Sequence, residues 1–213
     1  MRYNKQYNKT NLAKEIYGGR PMEPDWKTLM ERYAVWDDRV YTEDDLADIP
    51  EDVFAELLEG TIYFKGVPAL KHQGLVSELI FVIRSYIMEK GGRCKVYPDV
   101  GVRLFEDAYT IAKPDVSVIC DHNKLSDEGI IGAPDWVIEI VSPGNAKHDY
   151  IRKLELYTRA GVREYWIVDP IGKTIAVYRG DYHFPEAYNF ESKVRSGIFD
   201  GLLIDFKEVS DNL

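Results

Sequence analysis

Glu139 is the residue whose setting asks most for an explanation. It stands inside Trp136-Val137-Ile138-Glu139-Ile140-Val141, an acid in an otherwise apolar run. An ionised carboxylate in a buried strand is costly unless something compensates it. Two readings stay open on this residue alone: a structural ion pair, or a metal ligand or general acid/base. Asp115 adds a second acid. It follows Pro114 and opens Val116-Ser117-Val118-Ile119-Cys120, another apolar run, 24 positions before Glu139. By itself it reads as a turn acid after proline. On adjacent strands, however, the two carboxylates would face one pocket. Hard oxygen donors so placed suit Mg²⁺ or Mn²⁺, which take one or two carboxylates plus water and a substrate phosphate. Two like charges so close would also repel, which predicts that Glu139→Gln stabilises the metal-free protein.

Lys153 supplies the cation of the set. Asp149, Lys153 and Tyr157 are spaced by four and share one face of a helix. On the inner face, Lys153 would reach the acid pair and orient a water or stabilise charge on a phosphate. On the outer face it would form a solvated pair with Asp149, worth little. His72 is one of 4 histidines, with His122, His148 and His183. At a helix start it reads either as a capping or packing residue or as a proton shuttle. Glu56, in a hairpin, reads as an acid paired with a nearby lysine. Lys147, Arg152, Lys153, Arg159 and Arg163 make a modest basic face against Asp149, Glu155 and Glu164. Such a face either contacts phosphates or is simply solvated.

The elements that must position these groups read as follows. Residues 1–24, with Gly18-Gly19, Pro21 and Pro24, read as an irregular arm, and 25–36 have weak helical spacing. Thr42 followed by Glu43, Asp44 and Asp45 predicts a short capped helix. Residues 55–64 predict a hairpin around Glu59-Gly60. The clearest helix runs from Ala69 to Lys90, with Leu75, Leu79, Val82, Ile83, Tyr86 and Ile87 at helical spacing and Gly91-Gly92 at its end. Strands are predicted at 93–97, 99–105 and 113–120, then a polar loop over 121–133. Residues 135–141 read as a strand buried on both faces. A helix over 146–160 and a strand over 163–168 complete a βαβ unit with parallel strands. A strand over 173–178, an aromatic and polar tail over 182–190 and a closing strand over 202–206 follow. The fold class expected is α/β or α+β with a mixed sheet.

Composition narrows the partners. With 213 residues, 45% hydrophobic and 30% charged, the chain can bury a core and is neither disordered nor fibrous. The two cysteines, Cys94 and Cys120, form no CxxC pair and are expected as separate reduced thiols of a cytoplasmic protein. The first residues show no apolar leader, and the longest apolar stretch, Leu79 to Met88, is interrupted by Arg84 and Ser85 and is too short to span a bilayer. No membrane partner is therefore expected. The net charge of −9 argues against a simple basic nucleic-acid binder. Residues 1–60 hold 8 Lys and Arg against 14 Asp and Glu, a balance of −6; the remainder holds 19 against 22, a balance of −3. The rest of the chain is thus nearly neutral and can carry a local basic face.

Taken together, these residues resemble a known family. Lys113-Pro114-Asp115 with Glu139-Ile140-Val141 matches the first two acids of the PD-(D/E)XK nuclease pattern. The wider match includes the Ala55–Gly60 hairpin, His72, Val100-Gly101-Val102-Arg103-Leu104, Gly132 to Pro143, Lys153, Tyr157 and Ala160 to Pro170. Over roughly residues 42–180 the chain looks like the restriction-endonuclease-like family called Uma-two. The resemblance implies a mixed central sheet flanked by helices, forming a nuclease domain over 42–213 behind an N-terminal arm over 1–41. It implies a divalent-metal site with Asp115, Glu139 and the backbone carbonyl of Ile140 as ligands, Glu56 as an additional acid, and His72 as the histidine at the start of the long helix. Val141 stands where the superfamily has its lysine; by resemblance, Lys153 from the following helix takes that place. The implied function is a Mg²⁺- or Mn²⁺-dependent endonuclease that hydrolyses phosphodiester bonds in DNA, with a homodimer as the implied assembly. Two other readings stand beside it: a nuclease-like binding or assembly module without catalysis, and a metal-free carboxylate hydrolase built on the same two acids.

Overall fold

The computed structural model describes residues 39–50, 53–142, 148–180 and 184–213. The expected helix over 25–36 and nearly all of the arm lie outside the described residues. The chain divides into two compact units. One comprises Met1–Val67 with Ala108–Thr110, the other Pro68–Asp107 with Ile111–Leu213.

In the first unit, helix α1 (Glu43–Ala47) starts as its sequence predicts. The Asp45 carboxylate accepts the Thr42 N–H at 2.9 Å and the Thr42 hydroxyl at 3.1 Å, closing the first turn. Strands β1 (Ala55–Leu58) and β2 (Thr61–Phe64) form an antiparallel hairpin with Leu58 opposite Thr61. Its two turn residues, Glu59 and Gly60, both have positive φ, 49° and 76°. A two-residue hairpin whose turn follows the strand twist requires this, and glycine takes it without steric cost. The main-chain N–H and C=O of Gly60 are bonded to Tyr109 and Tyr41, so the turn is held from both sides.

The second unit is built on a six-stranded sheet of order β12-β11-β10-β9-β6-β3. Its strands are β3 (Lys95–Pro98), β6 (Val116–Ile119), β9 (Trp136–Ile140), β10 (Glu164–Asp169), β11 (Thr174–Arg179) and β12 (Glu186–Asn189). All five residues of β9 are buried, as expected for a strand covered on both faces. Successive side chains alternate between faces. Trp136, Ile138 and Ile140 join Trp166 and Val168 in the main core. There they meet Leu75, Leu79, Ile83 and Ile87 of helix α2 (Leu70–Glu89). Val137 and Glu139 therefore point to the opposite face. Helix α3 (His148–Ala160) joins β9 to β10. The two strands run parallel, with Glu139 opposite Ile167, so the predicted βαβ unit is present. Gly161, at φ 85°, ends α3.

Three expectations are corrected. The segment 121–133 is not all loop: a 3-10 turn (His122–Lys124) leads into strands β7 (Leu125–Ser126) and β8 (Gly129–Ile131), and β8 pairs in parallel with β4 (Val102–Arg103). β4 also pairs antiparallel with β5 (Ile111–Ala112). A Cβ on Gly129 would lie 2.5 Å from the Gly101 carbonyl oxygen, so this close backbone approach needs glycine. The expected closing strand over 202–206 is shorter. Strand β14 (Leu203–Asp205) pairs with β13 (Lys193–Arg195), and Phe206 opens helix α4 (Phe206–Asp211), capped by the Asp205 carboxylate on the N–H groups of Lys207 and Glu208. Finally, Cys94 and Cys120 are not separate thiols but a disulfide. Lys95 stands opposite Ile119 across β3 and β6. One step further along this antiparallel register the two cysteines face each other. The bond closes a loop of sequence separation 26 and pins the edge strand to β6. No helix among the described residues is long and apolar enough to cross a membrane.

Candidate active site

The antiparallel register of β6 and β9 sets Val116 opposite Ile138. Continued by one residue, it brings Asp115 opposite Glu139, so the two acids are cross-strand neighbours. Asp115 is 8% exposed and Glu139 3%. Charges this deeply buried need partners, and each acid has them. Asp115 Oδ2 accepts the Ile140 N–H at 2.6 Å and lies 3.3 Å from His72 Nε2 on the first turn of α2. Glu139 Oε1 accepts from Lys153 Nζ at 2.9 Å and from the Tyr157 hydroxyl at 2.8 Å. Lys153 is itself 3% exposed, so its helix face is the inner one and it pairs with Glu139 in the interior. The side chain of Asp149, the alternative partner, lies outside the described residues.

The helix α3 delivers both donors because Lys153 and Tyr157 are four residues apart. Tyr157 is fully buried, edge-on to Tyr165 of β10 with ring centroids 5.0 Å apart. Sequence spacing placed Tyr157 on the face of Lys153 but gave its hydroxyl no task. The signal was the spacing itself, once Lys153 is known to point inward. The like-charge crowding expected of the two acids is offset in the same way. Glu139 meets an ammonium rather than only a second carboxylate.

Ile140 takes its place by strand geometry. The N–H of Val141 donates to Val168 of β10 at 2.8 Å. Neighbouring residues of a strand present their main-chain groups to opposite edges. The N–H and C=O of Ile140 therefore leave on the β6 edge, where the N–H meets Asp115. Two carboxylates and a main-chain carbonyl thus stand at one strand end. This is an all-oxygen donor set, and its chemistry fits Mg²⁺ or Mn²⁺. Among the described residues no group of three or more His, Cys, Asp and Glu side chains is gathered as a metal site.

Glu56 is buried on β1 opposite Tyr63, in the first unit. Of the expected basic face, Arg163 donates to Asp135 at 2.9 Å, and the Arg159 guanidinium sits over the Phe105 ring, 4.9 Å from its centroid. Arg152 is exposed, and Lys147 lies outside the described residues.

A mixed sheet with helices on both faces and a carboxylate pair at a strand end places the second unit among restriction-endonuclease-like folds. The fold is similar to a solved structure from Anabaena variabilis ATCC 29413, described as a putative nuclease belonging to DUF820. The two share 26% identity, over 80% of this chain and 98% of the other, with a TM-score of 0.68. The chain belongs to the Uma2 family, described as putative restriction endonuclease, which it matches over residues 42–205. That match extends past the resemblance read from sequence, to include β12, β13 and β14. No protein of curated function matches the chain.

Proposed function

We propose that this protein is a divalent-cation-dependent endonuclease that hydrolyses phosphodiester bonds in DNA. The observation that carries the reading is the meeting of Asp115 and Glu139 across β6 and β9 with the Lys153 ammonium 2.9 Å from Glu139. In this reading Asp115, Glu139 and the Ile140 carbonyl hold Mg²⁺ or Mn²⁺. Bound there, the cation supplies Lewis acidity to a phosphate oxygen and lowers the pKa of a water. The Lys153 ammonium neutralises charge growing on the phosphate or holds the attacking water. His72, in contact with Asp115, keeps that carboxylate in its orientation. The burial of the pair supports this role, because a charge held ready in a dry place needs no reorganisation during the reaction. We add a homodimer as the assembly implied by the family resemblance.

A second reading, a binding module without catalysis, draws on one observation. Both acids are already compensated by protein donors. Single-turnover cleavage of plasmid and oligonucleotide, in Mg²⁺, in Mn²⁺ and in chelator, separates the two. The endonuclease reading expects cleavage that chelator abolishes, loss of it in Asp115→Asn, and a fall of roughly two to three orders of magnitude in Lys153→Met with metal binding kept. No cleavage of any nucleic acid by a wild type that binds the cation would leave the module. Full cleavage by Lys153→Met would remove the lysine from the catalytic set.

A further inference from the structure

Two donors from one helix meet on one oxygen, and they are not equivalent. Lys153 Nζ and the Tyr157 hydroxyl both donate to Glu139 Oε1, at 2.9 and 2.8 Å. An ammonium in that position compensates the carboxylate in the metal-free protein. Beside a bound dication the same ammonium is a like charge, and its chemical task lies at the phosphate. A carboxylate oriented by Lys153 alone would lose its anchor whenever the lysine turned to substrate. The tyrosine hydroxyl is neutral, so it orients the carboxylate without repelling a cation. Its place is also set independently of Glu139. The ring is fully buried, packs edge-on against Tyr165 at 5.0 Å, and Tyr165 in turn stacks on Tyr178 of β11 at 6.0 Å. Three rings on α3, β10 and β11 thus carry the hydroxyl into position, while the lysine reaches Glu139 on a flexible four-carbon stem.

We infer that Tyr157 is the positioning residue of this site: it holds the Glu139 carboxylate in its ligand orientation and so releases Lys153 for the phosphate. The inference rests on the reading that Asp115 and Glu139 bind a divalent cation. Partners that orient a metal ligand typically contribute ten- to a hundredfold in affinity, and that is the size expected for this hydroxyl.

The test is calorimetric titration of Mn²⁺ alone into wild type, Asp115→Asn, Tyr157→Phe and Lys153→Met, with the melting temperature of each metal-free protein measured alongside. Phenylalanine keeps the ring and its packing on Tyr165. Tyr157→Phe is expected to bind Mn²⁺ about ten times more weakly or worse while melting close to wild type. Lys153→Met is expected to keep the affinity within about threefold, because the neutral anchor remains. A Tyr157→Phe protein that binds as wild type does overturns the inference. So does a Lys153→Met protein that loses as much affinity as Tyr157→Phe was expected to lose. This second variant carries the test if Tyr157→Phe fails to fold. A wild type that binds no Mn²⁺ removes the metal reading itself, and this inference with it. Binding by wild type that Asp115→Asn abolishes, unchanged in Tyr157→Phe, removes the inference alone.

Discussion

At Glu139 the energetics are those of a buried pair, not of two crowded acids. Glu139 and Lys153 each have about 4% of their side chain exposed, and their charged atoms are 2.9 Å apart. Breaking a buried pair by removing one partner typically costs roughly 3–5 kcal/mol. The expectation drawn from sequence, that Glu139→Gln would stabilise the metal-free protein, therefore reverses. Glu139→Gln should lower the metal-free stability by roughly 3 kcal/mol in urea unfolding followed by circular dichroism. The Tyr157 hydroxyl can still donate to the amide oxygen, so the lysine charge, not a lost hydrogen bond, sets the size. A rise in stability would show that repulsion between Asp115 and Glu139 outweighs the ion pair. The sequence carried the identity of both acids because a charge inside an apolar run is conspicuous. It did not carry the sign of their coupling, because that depends on which way Lys153 points around its helix.

At the scale of elements, what sequence showed and what it hid follow one rule. Strand β9, helix α3 and strand β10 announce themselves through apolar runs and helical spacing because their burial is set by their own residues. Strands β7 and β8 are two and three residues long and gain strand character from β4, which no local pattern shows. The disulfide follows from the register of β3 against β6 and so needed the pairing first. Helix α4 did leave a local signal, the Asp205 cap with Phe206 and Val209 three apart, hidden by the apolar run before it. Strand β10 also holds an acid that the site does not use. Glu164 is fully buried, accepts from Trp166 Nε1 at 2.5 Å and the Gly197 N–H at 2.6 Å, and lies 3.4 Å from Arg179 Nε. Burial pushes its carboxyl above the ordinary 4.5, against the hydrogen bond from Trp166 and the charge of Arg179. A raised folded pKa means that the folded protein holds the proton more tightly. The stability this group contributes is full below the unfolded value and is lost as pH rises through the folded one. The stability of wild type minus that of Glu164→Gln should therefore fall as pH is raised from below 4.5 upward. Urea midpoints of both proteins across that range measure it. A difference that rises with pH would mean that Arg179 outweighs burial.

For the whole molecule, charge frames how the proposed substrate can be met. The chain carries −9, and duplex DNA about one negative charge per 1.7 Å of axis. Part of the predicted basic face is already paired, Arg163 with Asp135 and Arg159 over Phe105. Asp115 and Glu139, two of the acids in that total, stand where the proposed phosphate would have to come. A protein so charged should bind DNA weakly until a cation sits between the carboxylates and the phosphate, because a bound dication is the largest local charge in such a site. Fluorescence anisotropy with a short duplex bearing a non-cleavable linkage can read this at matched ionic strength, in chelator and in Mg²⁺. Wild type is expected to gain at least about tenfold in affinity on adding Mg²⁺, a difference of about 1.4 kcal/mol. General screening by Mg²⁺ would also help, and Asp115→Asn separates the two effects. It changes one site charge and leaves the remaining surface as it was. If the cation bridges at the carboxylates, Asp115→Asn loses most of the Mg²⁺ gain and binds slightly better than wild type in chelator, having one repelling charge fewer. If the gain is the same in both proteins, Mg²⁺ acts on the polyanion and the protein surface at large, and the carboxylate pair has no part in holding DNA.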